Sequence, residues 1–152
     1  MSKFKCILLL ALACAGGVHA AQVTRASCSV DGGGGANLIS NTPAQGWRPI
    51  TGIGVTLNNT GTVDKKAYLH FAADTGVPPD AEVRLGFSIG GAAPIYLGPQ
   101  NLANAVQYYQ SRSTLAVVTV PPGRHTVRPY WFVSGAGTEL GVMDDRCLFV
   151  TF

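Results

Sequence analysis

Along this chain, apolar residues return at every second position and not at every third or fourth, which predicts strands. Ile53, Val55 and Leu57 alternate with small or polar residues, and Asn58-Asn59-Thr60-Gly61-Thr62 supplies a turn. Over residues 67–72, Leu69 and Phe71 fall on one face and Tyr68 and His70 on the other. Residues 82–89 give the clearest strand: Val83, Leu85, Phe87 and Ile89 point one way. Glu82, Arg84, Gly86 and Ser88 point the other, so Glu82, Arg84 and Ser88 are expected at the surface. Gly90-Gly91 ends that strand, residues 94–97 read as a short one, and 105–110 as another strand or an irregular stretch.

Residues 115–120 are apolar on both faces, which places them centrally in a sheet. Pro121-Pro122-Gly123 then turns the chain, because proline presets φ and glycine takes the left-handed position. Residues 125–133 follow as a long strand with Val127, Trp131 and Val133 on one side. Pro129 has no N–H for a ladder, so its strand is expected at an edge or at a bulge. Gly135-Ala136-Gly137 turns again, and residues 146–152 form the last strand. Near the start, 26–30 is a short extended piece before Asp31-Gly32-Gly33-Gly34-Gly35. Four glycines in a row carry no side chains to pack, so that segment is a loop, and no Gly-Lys-Ser/Thr follows to make it a phosphate cradle.

Helix signals are few. Only residues 101–110 could wind, and Val106, Tyr108 and Tyr109 make no 3.6-residue stripe. Short strands between Gly and Pro turns predict an all-β fold, a two-sheet antiparallel β-sandwich of jelly-roll type. The expected organisation is a leader over 1–20, an N-terminal strand and Gly-rich loop over 21–52, and the body of the sandwich over 53–152, the last two forming one domain.

The leader changes the composition. Lys3 and Lys5 precede an apolar run over 7–15, and Val18-His19-Ala20 places small residues where a signal peptidase reads them. The run is shorter than the roughly 20 residues a spanning helix needs. The mature protein is therefore expected to start at Ala21 and to be secreted or periplasmic in a bacterium. Ala11-Leu12-Ala13-Cys14 loosely resembles a lipobox, so lipidation at Cys14 is the alternative, although Ala11 stands where leucine is usual. Taking 20 residues from 152 leaves 132, enough for one domain with a core. Two lysines leave as well, lowering the net charge from +3 to +1. Lys65-Lys66 is the only adjacent basic pair, so no nucleic-acid partner is expected. Of four cysteines, Cys6 and Cys14 go with the leader, and Cys28 and Cys147 remain to form a disulfide in an oxidising compartment.

Val120-Pro121-Pro122-Gly123-Arg124-His125-Thr126-Val127-Arg128 leads to Asp145-Arg146-Cys147-Leu148-Phe149-Val150. These stretches resemble the closing hairpin of small jelly-roll modules in secreted bacterial and phage proteins, sandwiches of the tumour-necrosis-factor type. Arg84 to Ile89 followed by Gly90 fits the same pattern, and the likeness runs from about Ile53 onward. Pro129 and Cys147 depart from it. What the resemblance implies is a fold, and function has to be sought in particular residues.

Catalytic candidates are sparse. His70 alternates with Leu69 and Phe71, His125 stands beside Arg124, and neither has a sequence neighbour placed as an acid–base partner. No Gly-x-Ser-x-Gly elbow occurs. Asp144-Asp145 reads as a solvated turn, with Asp145 pairing Arg146 or Arg128; a calcium site there would need Asp31 or Glu139 as well. Neither a cofactor nor a metal is expected. Aromatic side chains exceed what one core needs: Trp47, Tyr96, Tyr108, Tyr109, Tyr130, Trp131 and Phe132. Trp131 shares a face with Val127 and Val133 and belongs to the core, whereas Tyr130 shares a face with Arg128. A ring beside a guanidinium suits a polar ligand with an apolar side, so Tyr130, Arg128 and the loop-borne Tyr109 are the candidate binding residues. The expected function is a non-enzymatic, exported surface module, its partner unknown but of glycan or surface-protein kind. The alternatives are a small outer-membrane β-barrel, suggested by Leu148, Val150 and the terminal Phe152, or a secreted hydrolase.

Overall fold

The computed structural model describes residues 22–29, 39–78, 81–104, 110–135 and 141–152, with 95–104 and 110 as backbone only. The leader, the glycine run and Tyr109 lie outside the described residues. The strands are β1 (Thr24–Ser29), β2 (Ile39–Asn41), β3 (Arg48–Pro49), β4 (Val55–Asn59), β5 (Lys65–Gly76), β6 (Glu82–Ile89), β7 (Ile95–Asn104), β8 (Gln110–Val120), β9 (Gly123–Ser134) and β10 (Gly141–Thr151). A single 3-10 turn, Pro43–Gln45, joins β2 to β3.

Two antiparallel sheets result. Sheet A runs β1-β10-β5-β8, with β2 also on β10; sheet B runs β3-β9-β6-β7, with β4 also on β9. Their inner faces meet in one core: Leu69, Phe71, Val118, Leu148 and Val150 from sheet A, and Leu57, Val83, Leu85, Phe87 and Trp131 from sheet B. This filled two-layer core is a sandwich and replaces the barrel alternative, because Leu148 and Val150, which suggested barrel positions, are buried against the second sheet.

The alternation in 53–57, 67–72 and 82–87 emerges as expected. Five expectations need correction. Residues 115–120 belong to β8, which pairs only with β5 among the described residues and so forms an edge. Its second apolar row faces out, leaving Leu115 72% and Val117 49% exposed. Pro129 lies in the central strand β9, not at an edge. Its carbonyl accepts from the Ile50 N–H at 2.9 Å, so the missing proline N–H faces the gap where β3 has ended and β4 has not begun. No bond to β6 is lost there. Ser88 is buried at 2% exposure, its hydroxyl donating to the Ala92 carbonyl at 2.6 Å as the Gly90-Gly91 turn folds back over it.

The closing hairpin is also different. Pro121-Pro122 carries the chain from β8 in sheet A to β9 in sheet B, and β9 and β10 again lie in opposite sheets. The stretches that suggested a hairpin are therefore stacked across the core. Asp144 and Asp145 sit within β10 where its register against β5 shifts, not in a turn. That one-residue bulge explains how Met143 on one side and Arg146, Leu148 and Val150 on the other all point inward.

Cys28 and Cys147 form the disulfide. They are directly opposite in the β1–β10 ladder, on the outer face of sheet A, with Cα atoms 4.1 Å apart. Buried Asn59 acts as a second staple that the alternation does not reveal. Its Nδ2 donates to the carbonyls of Val120 (3.0 Å) and Val63 (2.9 Å), and its Oδ1 accepts from the Gly61 N–H (3.1 Å). The β4–β5 turn is thereby tied to the end of β8.

Candidate functional site

The outward row of β9 is Arg124, Thr126, Arg128, Tyr130 and Phe132, so strand alternation alone puts the predicted pair Arg128 and Tyr130 on one surface. The register then sets their neighbours. Tyr130 lies between Pro49 of β3 and Gly86 of β6, so its ring is half-buried against a strand position that has no side chain. Phe132 continues the row, its ring 5.8 Å from that of Trp47 in a tilted pair. Arg128 is exposed and lines a groove of about 560 Å³ with Thr51, Gly54, Thr56 and Thr126. A Cβ at Gly54 would stand 3.4 Å from Arg128 Cγ, an ordinary contact, so the arginine stem passes directly beside the residue that precedes β4. Trp131, as expected, is fully buried between Val127 and Val133 on the opposite face.

That groove follows a polar seam between the sheets. β1 edges sheet A and β4 edges sheet B, and their contacts are hydrogen bonds: the Gly54 N–H donates to Ser27 Oγ (3.2 Å) and Arg25 Nη1 to the Thr56 carbonyl (2.8 Å). Beyond Arg25 the seam opens into a cleft of about 510 Å³ lined by Arg25, Asn58, Lys65, Lys66, Tyr68 and Phe152, among others. Lys65 Nζ lies 5.9 Å from the centre of the Phe152 ring, and Lys66 Nζ donates to Thr119 Oγ1 at 2.6 Å. Among the described residues no carboxylate pairs with Arg25, Lys65 or Lys66, and neither groove has an acidic lining residue. Sequence reasoning missed this cleft. Lys65-Lys66 was visible as a basic pair, but Arg25 joins it only because β1 and β4 meet.

The histidines stand apart. His70 is on the outer face of sheet A, stacked on Phe149 at 5.8 Å, while His125 Nε2 lies 3.0 Å from the Pro122 carbonyl oxygen and its Nδ1 approaches Gly90. Among the described residues no group of three His, Cys, Asp or Glu side chains could hold a metal ion. No helix among them is long and apolar enough to cross a membrane. The disulfide suggests a non-cytoplasmic environment.

No protein-family model and no curated protein matches the chain. Solved structures do. A chain in the structure of infectious bursal disease virus, Gx strain, superposes with a TM-score of 0.53 at 10% identity, covering 88% of this chain and 32% of that one. For the Gt strain the TM-score is 0.53 and the identity 7%, covering 85% and 33%. The likeness is one of fold. This chain spans about a third of the length of those viral chains.

Proposed function

We propose that this chain is an exported, non-enzymatic β-sandwich that works by surface contact, with sugar recognition centred on Tyr130 and Arg128. The observation that carries this reading is the open, outward row of β9, where a half-buried ring and an exposed guanidinium share one face beside a groove. The apolar run over 7–15 and the Cys28–Cys147 bond support export. A ring fixed by its neighbours offers a flat surface at little entropic cost, and the arginine fork supplies hydrogen bonds to hydroxyls. Stacking on one ring contributes on the order of 1 kcal/mol, so single-site affinity should be weak, about millimolar. On a glycan array with the mature protein, Tyr130→Ala should abolish the signal while the melting temperature holds. A Tyr130→Ala protein that unfolds would make the ring a packing residue and remove the sugar reading.

A second reading, as a piece of an assembly, is favoured by the β8 edge. Residues 113–120 contain no charge and no proline, and the β5–β8 ladder runs without a bulge, so three of the devices that blunt an edge are missing from that stretch. An antiparallel pairing of two copies through Ala116 would set Leu115 against Val117, and Ser113 against Thr119, in both directions. It would also join the exposed apolar rows of Tyr68 and Phe149 across the two copies. Sedimentation should show a concentration-dependent dimer that Val117→Lys abolishes; a monomer at high concentration rules this reading out.

A further inference from the structure

The groove beside Arg128 and the cleft beside Lys65 adjoin, because Arg25 lines the cleft and is bonded to the Thr56 carbonyl, and Thr56 lines the groove. We propose that together they form one track along the β1–β4 seam that binds an acidic polysaccharide. This deepens the surface-contact reading by naming the class of sugar.

Arg128, Arg25 and Lys65 follow the seam, Lys66 lines the cleft with its ammonium turned toward Thr119, and among the described residues no Asp or Glu side chain lines either depression. Asp64 precedes Lys65 in the chain but does not line the cleft. Arg124 adds a fifth charge at the rim, directly opposite Asn58 in the β4–β9 ladder. On a mature chain with a net charge of only +1, this is a local concentration and not a property of the whole surface. The holding bonds matter as much as the charges. Arg25 spends one donor on the Thr56 carbonyl, which leaves the rest of its fork oriented for a carboxylate or sulfate; Lys66 is steadied by Thr119.

Between the cations the track offers what a sugar ring requires. Asn58, Thr51 and Thr126 carry groups for hydroxyls, and Tyr68 and Phe152 present apolar surface for a ring face. Each ionic contact is exposed and weak by itself, so affinity comes from engaging several along one polymer. A nucleic acid would use the same charges. The protein's export and the small net charge favour the sugar, and the test separates them.

The mature, disulfide-intact protein is titrated with four probes of equal chain length: a polygalacturonate oligomer, a dextran sulfate oligomer, a neutral dextran oligomer and single-stranded DNA. Saturable binding is expected with the galacturonate or the sulfate, which identifies the anion, and not with neutral dextran. Raising salt from about 50 to 200 mM should weaken it roughly tenfold or more. Lys65→Gln with Lys66→Gln, and separately Arg128→Gln, should each weaken it several-fold while the melting temperature holds, since all three side chains are exposed. Equal binding of neutral dextran, DNA binding as tight as the acidic sugars, or variants that bind unchanged would each overturn the proposal. Neutral-sugar binding lost only in Tyr130→Ala would leave the surface-contact reading standing without the track. Acidic-sugar binding lost with the lysines but not with Tyr130→Ala would leave the track standing without the site centred on Tyr130.

Discussion

Replacing Cys28 and Cys147 together by serine should lower the melting temperature by roughly 10 °C or more and leave the far-ultraviolet β signal unchanged at low temperature. The two residues are 119 apart in sequence, and closing a loop of that size removes denatured-state entropy worth up to about 4–5 kcal/mol. The substitution is a clean probe of that effect. Cys28 is exposed and already opposite Cys147 in the β1–β10 ladder, so serine opens no cavity there and the strand pairing persists. What is lost is mainly a restraint on the unfolded chain. Without it β1, an exposed strand at the edge of sheet A, is also the first to fray. An unchanged melting temperature, or two free thiols in the native protein, would refute a structural role for the bond.

Phe87→Ala should destabilise the domain by roughly 3 to 5 kcal/mol, while Arg84→Ala should cost well under 1 kcal/mol. Phe87 is 1% exposed and lies on β6, which is flanked by β7 and β9, so no edge can move in to fill the space. Leu85 and Ile89 are its neighbours in the same inner row and border the space the ring would vacate. Arg84 points out, and its 3.3 Å pair with Glu82 is solvent-exposed, a kind of contact that contributes little. Chemical denaturation of both variants checks the ranking. The opposite order would mean that the two faces of β6 have been assigned the wrong way round.

The outer face of β6 shows where alternation stops being informative. Periodicity separates two faces but does not say what covers the second one. Ser88 follows the polar row and is nevertheless buried, because the turn after it returns over its hydroxyl. Leu115 and Val117 show the converse: they look like the second face of a central strand and are exposed on an edge. Pro129 by itself points to an edge or a bulge, the usual places where a missing donor is free of cost. The interior of a sheet offers the same freedom wherever the neighbouring strand is interrupted, and the break between β3 and β4 is such a place.

The candidate site divides along the same line. Tyr130 with Arg128, and Trp131 away from them, are separated by neighbouring positions in one strand, so a period of two places them without knowledge of the fold. The disulfide was likewise legible, because Cys28 and Cys147 are the pair left outside the expected leader. Arg25 and Thr56 have no local spacing that relates them to each other or to the Lys65-Lys66 pair; they meet because β1 and β4, in different sheets, close one flank of the sandwich with polar contacts. Local pattern therefore determined the longer strands, most of their inward residues and the cysteine pair. Strand order, the identity of the edges, the crossing from one sheet to the other at Pro121-Pro122 and the convergence of the cations were decided by tertiary structure. The physical reason is that alternation encodes which side of a strand is dry, whereas neighbours in a sheet are selected by packing between segments far apart in the chain.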